Sequence, residues 1–474
     1  MSDTARASIV VGGADGPCVH ARPTDDPCVK TLLTDENTWC LGWCYATARD
    51  GDATGYAMSR DARATRRARN LDASLDADAA TPRAFDERAS DRRDAYLDNL
   101  KYALMLIVVW NHALQEFLRA LDAHERRGWC ERDAVNATTH GHVRTLYLVL
   151  CATGMPLFAG ASGYLSKSWL RAAREDEASA VNLLVRVRGA FGTLLGTYAV
   201  WQAFYVAINY YDVAPLQWWA PVGVMWYLLA LFFWRMSVLV VGGLRNGVIV
   251  ALSVFMGLFV GFTETATTKN GNAAFDWQRV FVYSVYFFLG CVALKPEHLQ
   301  RLQSIDYGRR ATFGAIVLAV AYALLYVVLN VFEECFDDVQ WFIWSIAPYK
   351  SSSVAAQFID MLKRIALYVF TAFAGLGVLA LVPSKKSFIT AMGSRTLYCY
   401  LTHILLVRGF SMLIDRVWPA APLSFRLSAG ALWLPLIVGN ALMAQPVLFL
   451  KPVVEPDFSF LSRPRGAESV ANVA

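Results

Sequence analysis

From about residue 100 to residue 449 the chain repeats one pattern: apolar runs long enough to cross a bilayer, separated by short polar stretches. The runs lie near 100–118, 143–165, 188–210, 220–241, 247–263, 277–295, 310–332, 361–382, 394–413 and 427–449. They predict an all-α, polytopic membrane protein with about ten transmembrane helices. Helices follow rather than strands because hydrocarbon offers the backbone no partners, so each span satisfies its own hydrogen bonds. Upstream the pattern stops. Residues 1–92 are polar and rich in Arg, Asp and Ala, with too little apolar surface to offset the entropy of ordering. A disordered cytosolic lead is expected there, then a transmembrane domain over 93–457 and a short tail over 458–474.

Composition agrees and removes other classes. Of 474 residues, 56% are hydrophobic and 18% charged, against about a half and about a quarter in soluble domains. A soluble globular enzyme and a disordered scaffold are both excluded. The nine Cys are thinly spread and several sit inside apolar runs, unlike a disulfide framework. Cys18, Cys28, Cys40 and Cys44 lack a paired C-x-x-C, and His140 with His142 has no further ligands nearby, so no metal site is expected. The net charge of +5 is scattered, which gives no nucleic-acid footprint.

Basic residues in the short loops set an orientation. With the N-terminus cytosolic, the inner loops hold Lys167, Arg171, Arg174, Arg186, Arg245, Arg301, Arg309, Lys385 and Lys386, while 211–219 holds none and 333–359 only Lys350. The first outer loop departs from this with Arg119, Arg126, Arg127 and Arg132, yet it carries Asn136-Ala137-Thr138, an N-glycosylation sequon suited to a lumenal or extracellular face. Ten spans then return the C-terminus to the cytosol. A multi-pass protein of the plasma membrane or an endomembrane is expected, surrounded by membrane lipids.

Ionisable residues inside spans are functional candidates because a charge at mid-bilayer is expensive. The first span runs from Lys101 to His112 and Glu116. Eleven residues at 100° each are about three turns, so Lys101 and His112 share a face roughly 16 Å apart. Glu116 follows His112 by four, within reach of the ring to hold its tautomer. The competing reading is a buried His satisfied by a neighbouring helix, with Lys101 snorkelling to headgroups. In the second span Pro156 removes one backbone bond, and Gly154, Gly160, Ser162 and Gly163 let another helix approach closely. Arg186 and Arg188 stand at the mouth of the third span. In the ninth, His403 lies well inside, with Tyr400 one turn earlier on the same face.

In this order these pieces resemble the acyltransferase 3 family of integral-membrane acyl-CoA-dependent O-acyltransferases, and within it the fucose 4-O-acetylase-like branch. The family's first helix has a basic residue, ten intervening positions and a His, matched by Lys101 and Asn111-His112 with Lys for the commoner Arg. Met155-Pro156-Leu157-Phe158 with Ser162-Gly163-Tyr164 is similar to the second-helix signature. Trp226-Tyr227-Leu228-Leu229, Phe287-Phe288-Leu289-Gly290 and Thr396-Leu397-Tyr398-Cys399-Tyr400-Leu401-Thr402-His403 complete a set spanning about 93–457. Two features depart from it: Gly154 stands where the branch usually has His, and the opening of the third helix lacks a Pro.

The resemblance implies transfer of an acyl group, most often acetyl, from cytosolic acyl-CoA to a hydroxyl of a carbohydrate or similar acceptor at the opposite face. Acyl-CoA (acetyl-CoA) is then a co-substrate, and no bound cofactor is expected. Lys101, Arg186 and Arg188 would face the CoA phosphates. His112 would either deprotonate the acceptor alcohol or carry the acyl group itself. Glu116, Ser162, Tyr400 and His403 would orient substrate, and Trp226 would line the cavity. Two alternatives use the same features: a transporter or exporter of a lipid-linked or sugar substrate without covalent chemistry, whose inverted repeats are not visible here, and an inactive relative, which Gly154 favours.

Overall fold

The computed structural model describes residues 94–125, 137–174, 180–208, 220–263, 274–330, 336–346, 348–349 and 353–456. The expected lead at 1–92, Asn136 and the tail from 458 lie outside the described residues. Regular structure among the described residues is entirely helical. Helix α1 spans Ala95–Glu125, α2 Ala137–Leu165, α3 Lys167–Arg174 and α4 Ala180–Ala190, which passes through a wide turn, Phe191–Gly196, into α5, Thr197–Ala207. Next come α6, Trp226–Val241, α7, Asn246–Phe259, α8, Trp277–Phe288, and α9, Pro296–Ser304. The chain continues with α10, Tyr307–Asn330, α11, Phe336–Trp344, α12, Val354–Leu381, α13, Phe388–Gly393, and α14, Thr396–Val417. The last long helix, α15, covers Leu423–Met443 and is wound wide over Arg426–Trp433.

Nine of the ten apolar runs fall mainly on a single helix, and the run at 188–210 covers α4, the wide turn and α5. Six helices among the described residues are long and apolar enough to cross a membrane, or seven if the bent pair of Trp277–Ala293 and Pro296–Ser304, hinged by 85°, is one span. The runs outside that set fail for visible reasons. The 31-residue α1 is long enough, but Asn111, His112, Gln115 and Glu116 dilute its apolar middle. The run at 188–210 is divided by the wide turn before α5, and Asn246–Phe262 is short.

The outer helices turn grease outward. Phe313, Ile316, Val320, Leu324 and Val327 form an exposed stripe down α10 at spacings of three and four, and Phe358, Leu362, Ile365 and Val369 do the same on α12. In water such faces would be penalised by roughly 25 cal/mol per Å²; lipid removes the penalty. This is a multi-pass membrane protein. By contrast α2 is central, its apolar window 78% buried.

Backbone contact makes that burial possible. A Cβ built at Gly163 would lie 1.8 Å from the Phe287 carbonyl oxygen, and one at Gly290 equally close to that of Gly160. Helix α2 therefore crosses the end of α8 and the wide turn after it, Leu289–Ala293, at glycines, as small-residue packing in membranes allows. Polar side chains bind alternate helix ends at the two faces of the bundle. At one face the buried Asn99 donates to the carbonyls of Pro383 (2.8 Å) and Lys385 (3.0 Å) and accepts from Thr390 Oγ1 (2.7 Å), while Arg395 donates to Met443 O (2.9 Å) and Arg310 to Val382 O (2.9 Å). At the other, Gln202 clasps the entry to α6 through Ala220 O (2.8 Å) and Val222 N (2.9 Å), and the Tyr349 amide donates to Gly261 O (2.7 Å).

Candidate active site

Helices α1 and α14 pack side by side in the centre, and each contributes one histidine. His112 is 2% exposed and His403 fully buried, with ring centroids 5.2 Å apart and planes inclined by 44°. Their surroundings explain the burial: Val108, Val109 and Ala113 flank His112, and the whole stretch from Thr396 to Ile404 faces the core. The ring of His403 bonds its own helix, Nδ1 meeting the carbonyls of Cys399 (2.8 Å) and Tyr400 (2.9 Å). Carbonyls only accept, so Nδ1 carries the hydrogen and Nε2 the lone pair. That Nε2 is buried without a hydrogen-bond partner. His112 Nδ1 lies 3.2 Å from Gln115 Oε1, an acceptor that fixes the same tautomer. Two imidazoles thus each direct the lone pair of Nε2 into the core, an arrangement suited to accepting a proton from a bound hydroxyl or attacking an electrophilic carbonyl.

The other sequence candidates divide into two groups. Gln115, not singled out from the sequence, meets the His112 ring, while Glu116 pairs with Arg119 at 2.5 Å. Positions three and four along a helix both face residue i, and the guanidinium one turn further draws the carboxylate away. Glu116 also lines a cavity of about 30 Å³ with Ala113, Val407 and Ser411, one turn beyond the histidines on the same two helices. Lys101 sits three turns from His112 and is ion-paired to Asp98. Arg186, half-buried, and Arg188, exposed, lie together on α4.

Three further candidates are engaged in holding helices together. Ser162 Oγ bonds the Tyr227 hydroxyl at 2.8 Å, joining α2 to α6, and the Tyr400 hydroxyl donates to Val224 O at 2.5 Å, joining α14 to the start of α6. Trp226, wholly buried, lies under the Arg279 guanidinium, 5.1 Å from its carbon. Gly154 closes the seam between α1 and α2, where a Cβ would come 3.0 Å from Ile107 Cγ2. A histidine in its place would point at α1, one and a half turns before His112.

Arg279 belongs to a second buried polar group that sequence reading passed over. Its Nη1 donates to Asp276 Oδ2 (3.0 Å) and its Nε to Trp344 O (3.2 Å), with Arg and Asp 1% and 4% exposed. Burial pushes the Asp276 carboxyl up from its ordinary value, and the adjacent guanidinium draws it back. The Asp-x-x-Arg spacing at the start of an apolar run was the available signal. Trp344 in turn lies beside Cys151, whose thiol reaches Asn111 Oδ1 at 3.3 Å, next to His112. No group of three or more His, Cys, Asp or Glu able to hold a metal occurs among the described residues.

Comparison with known families places residues 94–440 in a match to the model of an acyltransferase domain, the stretch running from the start of α1 almost to the end of α15. No curated protein and no solved structure matches the chain.

Proposed function

The chain belongs to the acyltransferase 3 family, and from that premise we propose that it transfers an acyl group, acetyl in the first instance, from cytosolic acyl-CoA to a hydroxyl of a carbohydrate or similar acceptor. That it is a membrane acyltransferase follows from the family and from the lipid-facing helices. The donor, the acceptor and the cytosolic placement of both termini belong to the proposal. One observation carries it: two buried imidazoles, 5.2 Å apart, both within the matched domain.

Two routes run through His112, and the second uses both rings. In the first, His112 Nε2 takes the proton as the acceptor oxygen attacks the thioester carbonyl; the C–S bond breaks and the proton passes to the CoA sulfur, leaving ester and thiol. In the second, His112 attacks first and holds the acyl group as an acyl-imidazolium while CoA leaves as the thiolate. His403 Nε2 then removes the acceptor's proton as the hydroxyl oxygen displaces the neutral imidazole, and that proton passes to the CoA thiolate. Lys101, three turns away on the same unbroken helix, would meet the CoA phosphates, with Arg186 and Arg188 of α4 as the further cations of the donor site. No resident cofactor takes part in either route.

Membranes containing the His112→Ala protein, supplied with labelled acetyl-CoA, test this reading. Loss of a general base or nucleophile removes roughly 10²-fold or more of the rate. Transfer at the wild-type rate would overturn the assignment.

A further inference from the structure

Beside the histidines one polar atom stands without a partner. Gln115 is 2% exposed, and its amide has two ends. Oε1 accepts from His112 Nδ1 at 3.2 Å, while Nε2, which carries two N–H groups, is buried with no hydrogen-bond partner among the described residues. Buried polar side chains are as a rule paired, so an orphaned donor in the core needs a reason. Packing supplies none: Leu114 and Leu118 beside it are buried apolar residues, and a methionine would occupy similar space with no unpaired amide. Holding the His112 tautomer supplies none either, because that task needs only an oxygen, which a carboxylate also has.

The location does supply one. The bond from Nδ1 anchors one end of a planar group, so Nε2 is held in the same turn of α1 as the His112 ring. A donor fixed in a buried, apolar setting acts strongly on charge that develops beside it, and it needs no reorganisation at the moment of reaction. A thioester carbonyl attacked at His112 develops that charge on its oxygen. A carboxylate at the same position would oppose it. The neighbouring acid, Glu116, is drawn off to Arg119.

We propose that Gln115 is a catalytic residue of the acyl transfer, its Nε2–H donating to the oxyanion of the tetrahedral intermediate while its Oε1 holds the His112 tautomer. This inference rests on the acyl-transfer reading above and serves both of its routes. Either the acceptor oxygen or His112 Nε2 forms a bond to the carbonyl carbon, and the C=O π pair moves onto oxygen, where the amide N–H meets it. The pair then returns, the C–S bond breaks, and CoA leaves with the electrons of that bond. The acceptor's proton ends on the sulfur by way of a histidine. The amide itself gains and loses no proton.

The test measures initial rates of transfer from labelled acetyl-CoA in membranes containing the full chain. Gln115→Met should lower kcat roughly 10²- to 10³-fold, the loss that follows removal of one oxyanion donor, with the KM for acetyl-CoA little changed. Gln115→Glu separates the two tasks of the amide, because it keeps an acceptor for Nδ1–H and removes the donor. It should be as slow as the methionine variant even at alkaline pH, where its carboxylate is ionised and His112 neutral. Either variant serves if the other does not fold. Wild-type kcat in a folded variant, a loss confined to KM, or recovery of the glutamate variant as pH rises would overturn the proposal. Transfer at the wild-type rate by His112→Ala would remove the acyl-transfer reading and this inference with it. An active Gln115→Met protein beside an inactive His112→Ala protein would remove the role of Gln115 alone.

Discussion

Replacing Arg279 with Met removes a cation held between three groups while keeping its bulk. The carboxylate of Asp276, 4% exposed, then loses a guanidinium at 3.0 Å, and the Trp344 carbonyl loses a donor at 3.2 Å. Breaking a buried ion pair from one side costs roughly 3–5 kcal/mol. Protonation sets a ceiling, because holding a carboxyl of ordinary value about 3.9 in its neutral form at pH 7 costs about 4 kcal/mol. Both routes give two to four powers of ten in the folding equilibrium, at about 1.4 kcal/mol for each. The assay is unfolding by rising SDS fraction in mixed micelles, followed by tryptophan fluorescence. The sign with pH is fixed as well: burial raises the folded-state carboxyl above its unfolded value, so its penalty grows as pH rises through that window and fades toward pH 4. The Asp276→Asn, Arg279→Met double variant, which removes both charges of the pair, should recover most of the stability. A single variant as resistant as wild type, or a double variant no better than the single, would refute the reasoning.

Two more outcomes follow from the same contacts. Lys101→Ala should raise the apparent KM for acetyl-CoA with little change in kcat, and Lys101→Arg should restore it; an unchanged KM in initial-rate assays would remove Lys101 from the donor site. Gly290→Leu should abolish folded protein in membrane fractions, because even its Cβ would sit 1.8 Å from Gly160 O, whereas Gly409→Ala, with nothing within 4 Å of the added carbon, should accumulate normally.

Much of the centre was legible in the chain because membrane chemistry makes polarity conspicuous. His112 and His403 stood out as imidazoles inside apolar runs, and the glycines of α2 announced a close helix crossing. The meeting of the two histidines was hidden, since pairing residues 291 positions apart is a property of tertiary packing. Gln115 was hidden too: an amide beside a carboxylate is the weaker signal on paper, but Arg119 one turn on binds Glu116 instead. Tyr400 and Ser162 were picked out for polarity and serve as interhelical ties, because in hydrocarbon a hydroxyl that joins two helices has the same composition as one that meets a substrate. Among the described residues the structure has six or seven apolar spans where the run pattern has ten, for a related reason. The polar residues that make α1 chemically interesting are those that lower its apolar character below that of an ordinary span.

Acyl transfer by a coupled pair of imidazoles is tested most directly by a double-mutant cycle on His112 and His403, with turnover of labelled acetyl-CoA measured in proteoliposomes. If the two rings act as one unit, each single alanine variant should lose nearly as much kcat as the double variant, by roughly 10²-fold or more. Losses that simply multiply, or a His403→Ala protein with wild-type turnover, would contradict it.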